Sequence, residues 1–172
     1  MKRLNLLLTI LLSFGLLSCG DDNDSNDNRF SNNIIELDGK KYDIVFATLI
    51  GTDVDEESNY TFALTTRNTD SGQYHIVNLC VNFPTQDGVT GTYGVDKKDR
   101  LLDPSGSNYM YVTVEGNELK DAKIYGSLTD GACTIKHNKD KDYTISFKLK
   151  PVTGDIIEGS FSGDMTGILL GS

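Results

Sequence analysis

A regular alternation of apolar and polar residues near the end of the chain constrains its fold more than any other feature. Apolar side chains occupy every second position of residues 143–150 (YTISFKLK), and Thr, Ser or Lys occupies the others. Successive side chains of a strand point to opposite faces, so this period predicts a strand with one buried face. Similar runs, separated by Gly, Asp and Asn, recur from Ile34 to Met165, and no run keeps helical spacing over eleven residues.

The turn signals between these runs indicate how the strands connect. Asp38-Gly39 lies between two runs and predicts a tight hairpin, because both residues tolerate the positive φ of a type I′ turn. Asp130-Gly131 predicts a further turn, and residues 42–50, apolar on both faces, predict a central strand covered on both sides. Short connections favour antiparallel pairing. We therefore expect an all-β domain of about ten short strands, either an antiparallel sandwich or a flattened barrel.

The first eighteen residues have the organisation of a secretory signal peptide. Lys2 and Arg3 precede a mostly apolar stretch, residues 4–17. As a helix this stretch would span roughly 21 Å, whereas the hydrocarbon core of a bilayer is about 30 Å thick. Residues 1–18 are therefore predicted to be a leader rather than a membrane-spanning helix.

The leader ends in Leu16-Leu17-Ser18-Cys19, which resembles the lipobox of bacterial lipoproteins, although Leu17 is bulkier than usual at its position. The resemblance implies that the Cys19 thiol receives a diacylglyceryl group, that cleavage precedes Cys19, and that the new amino terminus is acylated, with palmitate as the expected chain. Each buried methylene adds about 0.8 kcal/mol of membrane affinity, so several chains on one residue form a durable anchor.

Residues 19–33 are expected to be the lipidated cysteine followed by a disordered acidic tether. The segment after Cys19 reads GDDNDSNDNRFSNN and has one large apolar residue, Phe30, so it cannot bury enough surface to fold. Its early acids resemble the export signal of surface lipoproteins from the Bacteroidetes group: Asp21, Asp22, Asp24 and Asp27. The resemblance implies a lipid-anchored outer-membrane protein facing the medium, with the periplasmic face of that membrane as the alternative.

Residues 34–172 have the length of a single domain. The segments IIELDGKKYDI (34–44) and YTISFKLKPVTGDIIEGSFSGDM (143–165) resemble the opening and closing strands of small Bacteroidetes lipoproteins of unknown function. The resemblance supports the β fold and the envelope location. It transfers no catalytic residue.

The charge balance excludes one class of partner. Without Lys2 and Arg3 the basic residues fall from 16 to 14, against 25 acidic residues, for a net charge of −11. Nucleic-acid binding depends on Lys and Arg neutralising phosphates. We therefore expect no nucleic-acid partner.

Two cysteines other than Cys19 leave two arrangements open. An oxidising compartment would permit a disulfide between Cys80 and Cys133. Against this, Cys80 alternates with the apolar face of its strand, whereas Cys133 shares a face with Ile135, so the two thiols are expected to point in different directions. Two separate buried thiols are the alternative.

The segment GTDVDEESN, residues 51–59, concentrates oxygen ligands of the kind that calcium prefers. Its weak calcium candidates are Asp53, Asp55 and Glu57. The segment fails as an EF-hand, because Ser58 and Leu64 stand where glycine and the bidentate glutamate would be. A solvated loop between two strands explains the same residues, and no cofactor is assigned.

No motif predicts a catalytic residue. The segment GSFSG, residues 159–163, places Phe161 where a nucleophile elbow needs serine, so its glycines are better explained as relief of crowding in a curved strand. His75 and His137 are the only histidines, and neither has a second ligand at metal spacing. A small hydrolase that uses dispersed carboxylates stays open, because 25 acids guarantee chance pairs.

Tyr109 and Tyr111 are two residues apart and are therefore expected to share one face of a strand. If Met110, Val112 and Val114 face the core, the tyrosine pair is exposed and can stack on sugar rings or peptides. Ordinary cross-strand packing is the alternative, and the absence of Trp disfavours a glycan platform. We expect a non-catalytic binding or accessory module with an envelope protein or a glycan as partner; a hydrolase and a calcium-dependent adhesion module are the alternatives.

Overall fold

The computed structural model describes residues 33–66, 72–115 and 118–171. The predicted leader, Cys19 and the tether lie outside these residues. The described part holds twelve strands and no α-helix, with one 3-10 turn at Thr85–Asp87. The strands are β1 (Ile34–Leu37), β2 (Lys40–Val54), β3 (Glu57–Thr66), β4 (Gln73–Pro84), β5 (Gly91–Gly94), β6 (Leu101–Leu102), β7 (Asn108–Glu115), β8 (Glu118–Gly126), β9 (Leu128–Lys139), β10 (Asp142–Pro151), β11 (Ile157–Asp164) and β12 (Thr166–Gly171).

Nine of these strands close into a ring, in the order β2, β1, β11, β10, β9, β5, β6, β4, β3 and back to β2. The three remaining strands are attached to the ring: β12 pairs with β2, β7 pairs with β4, and β8 pairs with β7. All pairings are antiparallel except β12 with β2 and β5 with β6. The all-β prediction is confirmed: the mostly antiparallel sheet closes into a ring that fits a sandwich or a flattened barrel, and its strand order is far from the sequential order.

The interior of the ring is filled with apolar side chains. On β10, Tyr143, Ile145, Phe147 and Leu149 are buried, and the residues between them are exposed, as the alternation predicted. Inward-facing apolar side chains of β4 and β9 belong to the same core. Phe62 on β3 contacts the Tyr143 ring edge to face, with centroids 5.6 Å apart. Burial of these side chains from all sides of the ring supplies the main hydrophobic stabilisation.

The Asp38-Gly39 hairpin is confirmed. Asp38 has φ 50° and Gly39 has φ 71°, so both turn residues are in the left-handed region, and Leu37 pairs with Lys40. The entry to β1 is held by Asn33, whose side chain accepts a hydrogen bond from the Ser162 N–H (2.7 Å) and donates one to the Ser162 carbonyl (3.2 Å). Asn33 thus extends the β1–β11 pairing by one side chain.

Two local predictions were wrong. Residues 42–50 lie in a central strand, as predicted, because β2 pairs with both β12 and β3, but they are not covered on both faces, because Val45 is 54% exposed. A bulge between Ile44 and Phe46 shifts the alternation by one residue. Apolar residues therefore occupy both odd and even positions of this segment, as they would in a strand buried on both faces. Asp130-Gly131 is not a turn but part of the 12-residue strand β9; the chain has already turned at Ser127, which has φ 61°.

Candidate functional site: a tyrosine-lined cavity

The candidate site lies where a hairpin leaves the ring wall. One edge of β4 is divided between two partners: residues 73–78 pair with β7, and residues 81–82 pair with β6. Because β7 continues into β8 rather than into the ring, the β7–β8 hairpin stands beside the ring as an extra wall. A cavity of about 400 Å³ opens between this hairpin, the β1–β2 turn and the β10–β11 connection.

Strand register sets the first wall of the cavity. His75 pairs with Tyr111, which pairs with Lys123, and in the neighbouring row Tyr109 pairs with Tyr125. Residues paired across antiparallel strands point to the same face. The register therefore places three tyrosines, one histidine and one lysine on a single surface that lines the cavity.

The second wall comes from distant parts of the chain. Tyr42 on β2 and Leu37 on β1 face the first wall, together with Pro151 and Ile157 at the ends of β10 and β11. The β10–β11 connection approaches Tyr125 at Gly154, whose φ of +103° favours glycine and whose added Cβ would lie 3.4 Å from the tyrosine ring. Gly154 therefore lets the connection close one side of the cavity.

His75 is the most buried polar side chain of the cavity, at 6% exposure. Its Nδ1 lies 2.7 Å from the Tyr109 hydroxyl oxygen in a hydrogen bond, and its ring lies 4.2 Å from the Tyr42 ring. Its own backbone N–H donates to the Thr66 hydroxyl at 3.2 Å. Burial lowers the pKa of His75 below its ordinary value, because the imidazolium loses hydration. The side chain is thus a neutral imidazole held in one orientation.

Tyr109 stays protonated in the same environment. Burial raises the pKa of Tyr109 well above its ordinary value, and the nearby Tyr125, Tyr42 and Tyr111 raise it further. Its ring stacks on Tyr125 with centroids 5.3 Å apart and an interplanar angle of 23°. The hydroxyl therefore acts as a neutral hydrogen-bonding group rather than as a phenolate nucleophile.

Charged residues occupy the rim and balance one another. Lys40 and Lys123 line the cavity together with Asp38 and Asp155, and all four are exposed. The Lys123 ammonium lies 4.9 Å from the Tyr125 ring centroid, a cation–π arrangement. Its hydrogen bond to Tyr125 raises the pKa of Lys123. The cavity thus combines aromatic walls with a rim of no net charge.

The shared face of Tyr109 and Tyr111 is confirmed, but its orientation differs from the expectation. The side chains of Tyr109 and Tyr111 point to the side of the sheet that faces the interior of the strand ring, and both are half-buried in the cavity. Met110 and Val112 are buried on the opposite face, where they form a separate small cluster with Ile76 instead of joining the main core. The cluster is separate because β4 is shared between two partners and β7 lies outside the closed ring. The face of β7 that carries Met110 and Val112 therefore cannot join the main core.

Sequence reasoning did not predict that His75, Tyr42 and Tyr125 belong to the same site. His75 shares its face with Val77 and Leu79, and this was the only local signal that it points inward. Tyr42 and Tyr125 come from strands 83 residues apart in the sequence, and no local pattern relates them. His137, the other histidine, is exposed and stacks on Tyr143 with centroids 4.6 Å apart, away from the cavity.

The calcium candidates lie on a second hairpin. Asp53 is the next-to-last residue of β2, Asp55 is in the turn with φ 54°, and Glu57 begins β3. The Ser58 hydroxyl donates to Asp53 at 2.6 Å. Among residues 33–66, 72–115 and 118–171, no group of three His, Cys, Asp or Glu side chains is arranged to hold a metal ion. Calcium binding at these three residues stays an untested prediction.

The disulfide between Cys80 and Cys133 is not formed, and both thiols are free. Cys80 lies on the outer face of β4, with its sulfur 3.3 Å from the Thr61 hydroxyl, whereas Cys133 is part of the main core. The two thiols therefore point to opposite sides of the ring wall. Burial raises the pKa of Cys80 to about 11 and that of Cys133 to about 12, so both are protonated at neutral pH.

Of the two glycines of GSFSG, Gly159 relieves crowding, as predicted, whereas an added Cβ at Gly163 would make only an ordinary contact, 3.7 Å from the Phe161 ring. Gly159 on β11 leaves no room for a side chain, because an added Cβ would lie 2.6 Å from the Ile34 carbonyl oxygen. Phe161 is buried in the main core between the two serines. This segment is a ring strand that pairs with β1 and β10.

Comparisons with protein-family models, with curated proteins and with solved structures find no match to this chain. Within the described part of the chain, the structure holds no helix with the length and apolar character needed to cross a membrane.

Proposed function

We propose that this protein is a binding module of the bacterial envelope, anchored by lipid on Cys19 and displayed on a short acidic tether. Its ligand site is the tyrosine-lined cavity. The observation that carries the proposal is the convergence of Tyr42, Tyr109, Tyr111, Tyr125 and His75 from four strands on one open cavity of about 400 Å³. Concave sites with aromatic walls and a few placed polar groups are the usual form of small-molecule sites.

The cavity residues are suited to recognition. The four tyrosines are each half-buried, so one part of each ring packs on the protein and another part is left for contact. Tyrosine supplies a large amphipathic surface at low conformational cost, because it has only two side-chain torsions. The His75–Tyr109 hydrogen bond and the Tyr109–Tyr125 stacking hold these rings in place before any ligand arrives.

A hydrolase is the second candidate, because Asp38 and Asp155 both line the cavity. Paired carboxylates catalyse hydrolysis when their environments separate an acid from a base. Both side chains are exposed at the rim of the cavity. Their position therefore favours hydrogen bonding to a ligand over proton transfer, and we expect Asp38→Asn and Asp155→Asn to weaken ligand binding.

The binding role can be tested without knowing the ligand in advance. The purified full-length protein is mixed with sugar, peptide and lipid fractions of an envelope extract, and thermal shift and native mass spectrometry detect a bound species. We expect one fraction to raise the melting temperature for the wild type and for Tyr74→Ala, and to have no effect on Tyr111→Ala. Tyr74 is a matched control because it packs on the opposite face of the same sheet, against the Ile76 cluster. Binding by no fraction, or equal binding by Tyr111→Ala, would contradict the proposal.

The anchor is tested separately. Cys19→Ser is expected to release the protein from membranes into the soluble fraction, because the thiol that carries the lipid is lost. Protease added to intact cells is expected to degrade the wild-type protein if it faces the medium. Resistance in intact cells combined with degradation in lysed cells would place it on the periplasmic face instead. An unmodified Cys19 in the mature polypeptide would remove the anchor from the proposal.

A further inference from the structure

We infer that the ligand of the tyrosine-lined cavity is a neutral carbohydrate, with one sugar ring held against Tyr111 in the aromatic wall. The inference rests on the proposed binding function and names the ligand class for that site.

The size of the cavity restricts the ligand to a small molecule. Its volume of about 400 Å³ lies near the lower end of the range for ligand pockets, which is roughly 300–1,000 Å³. It is also open on one side rather than enclosed by the apolar core, since its four charged residues are exposed at the rim. A terminal sugar of a longer chain can therefore enter while the rest of the chain stays outside.

The arrangement of charges favours a neutral ligand. Two lysines and two aspartates leave the rim without net charge, so neither an anion nor a cation finds an excess of opposite charge. A cationic ligand would need free aromatic faces, but the Lys123 ammonium already lies over Tyr125 at 4.9 Å. A second cation at that ring would be repelled by Lys123.

The polar groups suit a ring that carries several hydroxyls. Sugar hydroxyls both donate and accept hydrogen bonds, and the cavity offers both kinds of partner within one small volume. Lys40 and Lys123 donate, Asp38 and Asp155 accept, and the tyrosine hydroxyls do either. The apolar C–H face of the ring can lie on a tyrosine while its edge reaches these groups, which matches an amphipathic wall beneath a polar rim.

An extended peptide is the main competing ligand, because β8 ends the sheet beside the cavity. Among the described strands β8 pairs with β7 alone, so its outer edge could receive another strand. That edge carries charged residues of both signs at close spacing, which discourages strand addition: Glu118, Lys120, Asp121 and Lys123. The edge is therefore protected rather than prepared for a peptide.

The absence of Trp does not oppose this inference once the geometry is known. A flat glycan platform depends on one large ring, and the chain has no Trp to supply it. The site is instead a cavity in which four smaller rings surround the ligand. The contact area that one indole would provide is divided among these tyrosines.

The test uses the intrinsic tyrosine fluorescence of the full-length protein, which no Trp obscures. Glucose, galactose, N-acetylglucosamine, maltose and cellobiose are titrated at millimolar concentrations, with choline and glucuronate as charged probes and a tripeptide mixture as the peptide probe. We expect a neutral saccharide to change the emission with saturation and to bind at least tenfold tighter than either charged probe. A charged probe that binds tighter than every saccharide would overturn the inference.

Substitutions of the cavity tyrosines test whether the fluorescence change comes from a saccharide bound in the cavity. Tyr111→Ala is expected to weaken saccharide binding at least tenfold, and Tyr111→Phe less than threefold, because stacking needs the ring and not the hydroxyl. Tyr125→Ala provides a second test should Tyr111→Ala fail to fold, and circular dichroism checks each variant. Tyr74→Ala is expected to bind like the wild type. Saccharide binding that is unchanged in both alanine variants would overturn the inference.

The outcomes separate the ligand class from the binding role. Tripeptide binding that depends on Tyr111, with no saccharide binding, would overturn the carbohydrate inference and leave the binding module intact. No binding by any probe here or by any fraction of the envelope extract would overturn both.

Discussion

The two halves of β4 present the same face to very different surroundings. In the second half, Leu79 and Val81 are completely buried in the ring interior, and Phe83 is nearly so. In the first half, His75 lies on the same face of the same strand, yet it meets the tyrosines of an open cavity. One continuous strand therefore passes from a filled core to a candidate ligand site over a few residues.

The pairing partner of each half causes this difference. Where β4 pairs with β6 it belongs to the closed ring, and side chains from opposite strands fill the interior. Where it pairs with β7 it carries a hairpin that leaves the ring, and the walls no longer meet. Stability is thus concentrated in the ring, and the candidate site lies at the branch, where tight packing is not required.

The largest expected effect is in the ring interior. Phe62 is fully buried and packs edge to face on Tyr143. Phe62→Ala is expected to lower the free energy of unfolding by about 3–5 kcal/mol, because it removes buried surface and leaves a cavity. Urea unfolding followed by circular dichroism measures the loss.

Tyr111→Ala is the matched change at the branch. Its side chain is half-buried at an existing cavity, so we expect a loss of about 1 kcal/mol. If Tyr111→Ala destabilised the protein as much as Phe62→Ala does, the separation between a stabilising ring and a binding branch would be wrong.

The hairpin that forms the second wall is expected to be sensitive to its backbone. Gly39 has φ +71°, and an added Cβ would meet nothing within 4 Å. Gly39→Ala is therefore expected to cost about 1 kcal/mol through backbone strain alone. Gly126→Ala is the control, since that position is equally open and lies outside the left-handed region. Equal losses in the two variants, measured by thermal unfolding, would show that strain at Gly39 is not the cause.

A pH dependence is expected at the branch. Burial lowers the pKa of His75 in the folded protein below its ordinary value, so below about pH 6.5 the unfolded chain binds more protons than the folded one. This contribution to stability is fully present above that pH, and it is lost as the pH falls toward the folded pKa. Melting temperatures between about pH 8 and pH 5.5 measure it, above the range where carboxylates titrate.

Two variants identify the group that titrates. His75→Gln keeps a hydrogen-bonding side chain beside Tyr109 and is expected to flatten the profile between these pH values. His137→Gln changes the only other histidine, which is exposed, and is the matched control. A profile that stays steep in His75→Gln would assign the dependence to another group.

The smallest expected effect is on the outer surface of the ring. Lys148 on β10 and Glu158 on β11 form an ion pair across the strands, and both side chains are more than half exposed. Exposed pairs contribute little, so Glu158→Gln is expected to change the free energy of unfolding by less than about 0.5 kcal/mol. Urea unfolding at low and high salt checks this value. A loss comparable to that of Gly39→Ala would mean that the outer face stabilises the ring more than its exposure indicates.

Local features of the fold were predictable from the sequence. The alternation in residues 143–150 identified β10, and Asp38-Gly39 identified the first hairpin, because both signals depend on neighbouring residues alone. Two failures were also local in origin. The bulge after Ile44 changed the period of β2, and the turn at Ser127 made Asp130-Gly131 part of a strand. Neither feature leaves a composition signal as clear as a turn dipeptide.

The candidate site was predictable only in part. The shared face of Tyr109 and Tyr111 follows from a spacing of two, and it was correct. Their orientation was not predictable, because either face of an alternating strand can meet a core when both carry apolar groups. The choice depended on β7 pairing with β4 outside the ring.

The sequence by itself determined that this chain forms strands, where many of them turn, and which residues share a face, because these properties depend on local backbone sterics and a period of two. Only the tertiary structure decided which strands are neighbours: β1 pairs with β11, whose residues lie 120 to 126 positions later in the chain, and the edge of β4 is shared between β6 and β7. Those long-range pairings bring Tyr42, His75, Tyr111 and Tyr125 to one cavity. No short segment encodes them, because they depend on the simultaneous burial of side chains from the whole ring.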